Sequence, residues 1–265
     1  MSEKIVIKNK ALKVFITGAT SGIGQSLALQ FADEGAILGL VGRRLELLIK
    51  IKSKIKTPCD IYAIDVTDQK GLQKAAKHFV KRHGPPDIVI ANAGVSTGTL
   101  AGEKEDLHTF KRIIEINLFG VIHTFLPFIE VFKKQKSGQL VGIASVAGIR
   151  GLPGSGAYST SKAALINYLE SLRIEMRPFG INVTTIAPGY IDTPMTKHNR
   201  YAMPFILDVK IAASFFMKAI KNKKCFVIIP WQMNIIGIIM KLLPIFLWDY
   251  LAKQGPKKLR KKLNN

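Results

Sequence analysis

Lys13-Val-Phe-Ile-Thr17-Gly18-Ala-Thr-Ser21-Gly22-Ile23-Gly24 decides how this chain folds. Residues 13–17 read as a short strand, the glycines come next at G-x-x-x-G-x-G spacing, and a helical stretch runs on to about Asp33. Strand, glycine turn and helix in that order aim backbone N–H groups at a helix N-terminus. The positive end of the helix dipole receives an anion there, and the missing side chains let a phosphate approach. On its own such a turn also suits a plain strand-to-helix connection, so its meaning rests on the residues downstream.

Those residues keep alternating between strand and helix. A second strand, Ala36-Ile-Leu-Gly-Leu-Val41, ends in Gly42-Arg43-Arg44. In a dinucleotide fold this strand end meets the adenosine ribose, where an acidic residue bonds a free 2'-hydroxyl and arginine accommodates a 2'-phosphate. With two arginines and no acid, the expected cofactor is NADP rather than NAD. Next come a helix over 45–55, a strand Asp60-Ile-Tyr-Ala-Ile-Asp65 and a helix over 69–81. The strand Asp87-Ile-Val-Ile-Ala91 runs into Asn92-Ala93-Gly94, small residues against which a planar ring can lie. Residues 103–136 are helical in character with a break near Asn117, whose apolar setting implies a buried, hydrogen-bonded amide or a helix cap or bend. Leu140-Val-Gly-Ile-Ala-Ser145, a helix from Ala157 to about Arg177, and Ile181-Asn-Val-Thr-Thr-Ile-Ala187 complete the alternation before Pro188-Gly189 stops it. Such alternation implies an α/β fold, a doubly wound parallel sheet of the Rossmann type, with its strand ends and its ligand along one edge.

Composition sets the outer bounds. A chain of 265 residues with 48% hydrophobic and 22% charged residues is an ordinary globular protein, expected to form one domain. Thirty-nine Lys and Arg against eighteen Asp and Glu give a net charge of +21, which suggests phosphate groups, acidic lipid or nucleic acid as partners. Nucleic acid is disfavoured because no binding motif accompanies the charge. Cys59 and Cys225 offer no disulfide framework, and residues 1–10 build no secretory core, so a cytosolic body is expected. His78, His83, His108, His123 and His198 are scattered, and no metal is expected.

Tyr158 and Lys162 stand four residues apart on a helical segment, so a phenol and an ammonium project from one face. The cation is expected to acidify the phenol toward proton exchange. Ser145, ending its apolar run, would bring a hydroxyl to the same edge.

These residues together resemble a short-chain dehydrogenase/reductase over roughly residues 13–230. The resemblance is carried by Thr17-Gly-Ala-Thr-Ser-Gly22-Ile-Gly24, Asp65-Val66, Asn92-Ala-Gly94, Asn117, Ser145, Tyr158-x-x-x-Lys162, and Pro188-Gly189 with Thr193 beyond. It implies hydride transfer between a nicotinamide cofactor and a carbonyl or alcohol. It further implies that Tyr158 is the proton donor, Ser145 the carbonyl anchor, Lys162 the group that bonds the nicotinamide ribose and tunes the phenol, and Asn117 the support of a water linking the lysine to solvent. On the same basis Gly18, Ser21, Gly22, Ile23 and Gly24 cradle phosphates and ribose, Asp65 and Val66 meet the adenine, and Asn92, Ala93 and Gly94 the adenosine side. Pro188, Gly189, Ile191 and Thr193 border the nicotinamide end. Self-association through the long helices is expected as well. The rival reading is a catalytically silent NADP sensor or membrane scaffold.

Residues 190–208 read as a lid, with Met195, Tyr201, Met203, Phe205 and Ile206 suiting a lipophilic carbonyl or alcohol substrate as well as simple packing. After a last helix and the strand Cys225-Phe-Val-Ile-Ile229, residues 230–265 form an apolar, basic extension to the catalytic domain of residues 1–229. From Pro230 to Trp248 it is apolar almost all round, with Asn234, Gly237 and Lys241 as a narrow polar stripe. Lys241 and Pro244 argue against a span. Trp231, Trp248, Tyr250 and the cations Lys253, Lys257, Lys258, Arg260, Lys261 and Lys262 suggest an interfacial segment on an anionic membrane, with an oligomer contact or pocket cover as the other possibility. The expected activity is NADPH-dependent reduction of a lipophilic carbonyl compound such as a ketoacyl lipid, a steroid-like ketone or a long-chain aldehyde.

Overall fold

The structure is a computed structural model that describes residues 11–197, 199, 201–253 and 258–260. The expectations placed on residues 1–10, His198, Lys257, Lys261 and Lys262 lie outside the described residues.

Apolar runs become strands where both faces are covered, and seven such strands among the described residues share one sheet. They are β1 (Lys13–Thr17), β2 (Ile37–Gly42), β3 (Cys59–Ala63), β4 (Ile88–Ala91), β5 (Gly138–Ile143), β6 (Ile181–Pro188) and β7 (Phe226–Ile229). The order is β3-β2-β1-β4-β5-β6-β7, and every neighbouring pair is parallel. The winding therefore reverses between β1 and β4, where Thr17 stands opposite Ala91. The loops that leave those two residues flank the crevice of the sheet.

Helices cover both faces. On one lie α1 (Gly22–Asp33), α2 (Leu45–Lys52) and α7 (Val209–Lys221), sharing a core with Val14 and Ile16 through Leu27, Phe31, Leu48 and Phe216. On the other lie α3 (Gln69–His83), α4 (Asp106–Ile114), α5 (Gly120–Gln135) and α6 (Gly156–Met176), whose Phe79, Phe125, Phe128 and Leu165 share a core with Phe15. The alternation Val14, Phe15, Ile16 sends successive side chains to opposite layers. The Phe15 ring lies 5.0 Å from Phe128 and 5.7 Å from Phe79, each fully buried ring contributing roughly 1.5–3 kcal/mol.

The break near Asn117 is not an interruption. Between α4 and α5 the residues Glu115–Phe119 form a π turn, and Asp106–Gln135 continues as one helix. That helix is long and apolar enough to cross a membrane, yet its Phe125, Phe128 and Phe132 are buried in the core. The expected helix over 45–55 stops at Lys52, where the Ser53 hydroxyl donates to the Lys50 carbonyl (3.0 Å).

After β7 come α8 (Trp231–Leu242) and α9 (Ile245–Lys253). In α8, Met233 and Gly237 are buried and Ile236 and Met240 are packed against the core, so the inner face is not the one suggested by the polar stripe: Gly237 faces in. Trp248 is not an outward anchor either. The Arg150 guanidinium lies 5.1 Å from its ring while donating to the Met240 and Leu243 carbonyls at the end of α8 (2.9 and 3.0 Å).

Candidate active site

At the carboxyl ends of β1, β2, β4, β5 and β6 opens a cavity of about 250 Å³. Gly18, Ser21, Gly22 and Ile23 line it, as do Arg43, Arg44, Asp65, Val66, Asn92, Ala93 and Gly94. So do Ser145, Tyr158, Lys162, Pro188, Gly189, Ile191 and Thr193. The structure thus brings together, from seven separate stretches of chain, every predicted site residue except Gly24 and Asn117, which stand directly behind the wall. A side chain at Gly24 would run into the Asn92 amide and the Gly18 carbonyl, and Asn117 Oδ1 would lie 3.3 Å from a Cβ at Gly94.

The glycine turn is built for close approach. Gly18 has φ of +69°, and a Cβ there would fall 2.7 Å from Ala93 Cα. Asn92 Nδ2 donates to the Thr17 and Gly18 carbonyls (3.2 and 3.1 Å), tying the turn to the end of β4. Ser21 caps α1 without a side-chain cap bond, and the first turn of α1 holds no acidic residue, so its positive end faces the cavity uncompensated. These features fit a dinucleotide phosphate.

At the far end of the cavity, Arg44 donates to the Thr20 hydroxyl (3.1 Å), and Arg43 lies 3.7 Å from the Asp65 carboxylate. Asp65 also accepts from the Thr67 N–H and hydroxyl (3.0 and 2.9 Å) and from Arg112 (2.9 Å). Burial alone would raise its pKa, but the Thr67 bonds and then the Arg112 and Arg43 charges outweigh it and hold the carboxyl below its usual range. Arg112 sits in an ordinary helical run, and nothing in the sequence marks it as the partner of a residue 47 positions away.

At the reacting end, Ser145 lies two residues past β5, capping a short 3-10 turn (Val146–Gly148) by accepting from the Ala147 N–H (3.2 Å). It hydrogen-bonds the Tyr158 phenol. Lys162 Nζ donates to the Ile143 carbonyl (2.8 Å) and lies 5.9 Å from the Tyr158 ring centroid. The expected acidification of Tyr158 is not found. The phenol is partly open to the cleft but deep within it, so burial pushes its pKa above the ordinary value, opposed only by the Ser145 bond. Burial also lowers the Lys162 ammonium to about 8, and its bond is to a carbonyl rather than the phenol.

Asn117, fully buried in the π turn, accepts from the Val95 N–H (2.8 Å) and donates to the Val95 carbonyl (2.9 Å) and the Ser161 hydroxyl (3.0 Å). Its amide therefore pins the strand-like segment after Gly94 to α6.

In the lid, Ile191 bridges Leu207 and is buried, while the Thr196 hydroxyl donates to the Ile191 carbonyl (2.6 Å). Met195 lines the cavity, and Tyr201 packs on Tyr190 at 6.2 Å. Phe205 and Ile206 point to solvent at 50% and 43% exposure, so the apolar lining expected of them is not formed.

A family model for short chain dehydrogenases matches residues 12–203. An uncharacterized oxidoreductase of Myxococcus xanthus is 34% identical over 242 residues, covering 90% of this chain and 95% of its own. A 3-oxoacyl-(acyl-carrier-protein) reductase of Thermotoga maritima is 34% identical over 185 residues, covering 69% of this chain and 75% of its own. Among solved structures, an NAD+-bound xylitol dehydrogenase superposes with a TM-score of 0.65 at 30% identity, covering 69% of this chain and 72% of its own. Built on the family's parallel sheet, with a phosphate-binding glycine turn at its crevice, the chain belongs to the short-chain dehydrogenases and is an oxidoreductase of the nicotinamide-dependent kind.

Proposed function

We propose that this protein is an NADPH-dependent reductase of lipophilic carbonyl compounds, held at an anionic membrane surface by its C-terminal helices. The observation that carries the reading is the Tyr158 phenol, bonded to Ser145 beside the buried Lys162 ammonium in one glycine-walled cleft. When bound, the nicotinamide supplies the hydride. Gly18, Ser21, Gly22 and Ile23 hold the phosphates, and Val66 with Asn92 to Gly94 walls the adenosine side. Ser145 orients the carbonyl oxygen and Tyr158 delivers the proton to it, a role suited to a phenol whose pKa is raised, since it keeps its proton at neutral pH. Lys162 places positive charge where the phenolate forms. Asn117 acts by bracing the Val95 segment.

A xylitol dehydrogenase of the same fold is NAD+-bound. The preference for NADPH here is supported by Arg44, an exposed guanidinium on the cavity wall with a hydroxyl rather than a carboxylate for partner. Ketoacyl compounds are the favoured substrates because a 3-oxoacyl reductase is among the relatives. Membrane attachment is supported by the outer faces of α8 and α9, where Trp231, Leu242, Ile245 and Phe246 are 68–75% exposed beside Lys241 and Lys253. The cysteines suit the cytosolic side of that membrane. Self-association is supported by Leu107, Phe119 and Leu126, exposed along the long helix.

The test is NADPH oxidation across ketoacyl, steroid-like, long-chain and short polar carbonyls. Tyr158→Phe should lose about 10²–10⁴-fold in rate, and a variant as active as the parent overturns the mechanism. Arg44→Ala should weaken NADPH binding about tenfold or more with NADH binding unchanged. Phosphatidylserine-containing vesicles should float the parent but not Leu242→Glu/Phe246→Glu; equal flotation sinks the membrane reading.

A further inference from the structure

The C-terminal end of the described chain folds back onto the active site. The Leu259 carbonyl accepts from the Gly98 N–H (2.9 Å) and the Thr97 hydroxyl (3.2 Å), so residues 258–260 run alongside the loop after β4. Arg260 locks this strap by donating to Asp106 (3.0 and 3.2 Å) and Glu103 (3.5 Å), with Glu105 at 3.9 Å. Arg260 thus engages the acids of the loop. Among the described residues no carboxylate is left to pair with its neighbour Lys258. That ammonium donates to the Ser96 hydroxyl and lies 4.6 Å from the centroid of the Tyr158 ring, nearer than Lys162 at 5.9 Å.

A cation over an aromatic face is attracted by the ring's quadrupole, and the attraction strengthens when the pair is desolvated and the ring turns anionic. We propose that Lys258 is a positioning residue of the active site, the ammonium of a C-terminal strap that fixes the Tyr158 ring and favours its ionised form as the proton leaves. This rests on Tyr158 as proton donor and adds a group that the sequence places a hundred residues from it. The groups facing the phenol come from every side: Lys162 on α6, Ser145 after β5, Tyr201 of the lid with Tyr190 beside it, and Lys258 from the strap. Of these only the two lysines carry charge at neutral pH. Burial lowers Lys258 to about 8, so its contribution fades above that pH. The strap residues Lys258 and Arg260 are accordingly turned to the protein and are not part of a lipid-facing basic tail.

The test uses the full chain and separates this inference from the catalytic reading. Phenolate absorbance is titrated in the parent and in Lys258→Met, each with its Tyr158→Phe counterpart subtracted, so the signal of Tyr158 is isolated without turnover. The Tyr158 midpoint should rise by about one pH unit in Lys258→Met and return in Lys258→Arg. Arg260→Glu, which frees the strap while keeping Lys258, should reproduce the rise. With an accepted carbonyl substrate, Lys258→Met should lower kcat about tenfold, and Lys258→Arg should restore it. A midpoint unmoved in both Lys258→Met and Arg260→Glu, or no rescue by arginine, overturns the proposal. Full activity of Tyr158→Phe would instead overturn the catalytic reading, with the titration still deciding whether Lys258 governs the phenol.

Discussion

Replacing Asn117 with alanine tests whether this residue braces the site. The side chain makes three hydrogen bonds from a fully buried position, two to the backbone of Val95 and one to Ser161. The Ser161 hydroxyl keeps its own bond to the Tyr158 carbonyl (2.7 Å), so it loses little. Val95 loses partners for both its N–H and its C=O, and each unsatisfied buried group costs about 1–3 kcal/mol. Val95 also borders the cavity, where water can reach it, which favours the lower half of that range. The expected loss is about 2–4 kcal/mol of unfolding free energy, or roughly 4–16 °C in melting temperature for a chain of this size. Urea unfolding of the parent, Asn117→Ala, Ser161→Ala and the double variant would measure it, with a coupling of about 0.5–3 kcal/mol between the two sites. An unchanged midpoint for Asn117→Ala, or strict additivity with Ser161→Ala, would refute the bracing argument.

Gly18→Ala should cost about 1–3 kcal/mol in stability, because φ of +69° and the Ala93 backbone 2.7 Å away leave no room for a methyl group, and dinucleotide binding by equilibrium dialysis should fall with it. For Lys162 the folded pKa of about 8 lies below the ordinary lysine value of 10.5, so the unfolded chain binds more protons between those values and the parent gains stability as pH rises through that window. Lys162→Met, without the buried charge, should therefore be more stable than the parent at pH 7 by up to about 3 kcal/mol, an advantage that shrinks toward pH 10; parallel profiles in urea melts would contradict this.

The sheet and the cleft are legible in the sequence because their signals are local. Continuous apolar runs report strands covered on both faces, and Gly18, Asn92, Ser145 and Pro188 lie at or beside strand ends, where parallel topology gathers them on one edge. The features that escape a sequence reading depend on long-range pairing. Nothing around Arg112 marks it as the partner of Asp65, and Lys258 looks like one cation of a basic run until Arg260 and the loop acids anchor it. The Tyr158 shift runs opposite to expectation because the sequence displays the neighbouring charge and hides the desolvation, which is the larger effect. The inner face of α8 is obscured for a related reason. Glycine at 237 looks polar by composition but supplies the close approach to Ile149 and Ile228.

The π turn at Glu115–Phe119 makes residue number, rather than residue type, the sensitive quantity in the long helix. Such a turn holds one residue more than a regular one, and each residue advances a helix by about 100°. Ile113 before it and Phe125, Phe128 and Phe132 after it all face the core, so the two halves are kept in phase only by that surplus residue. Deleting a single position between 115 and 119 would regularise the helix while swinging the phenylalanines off the sheet, so relatives of this protein should tolerate substitutions there far better than changes of length.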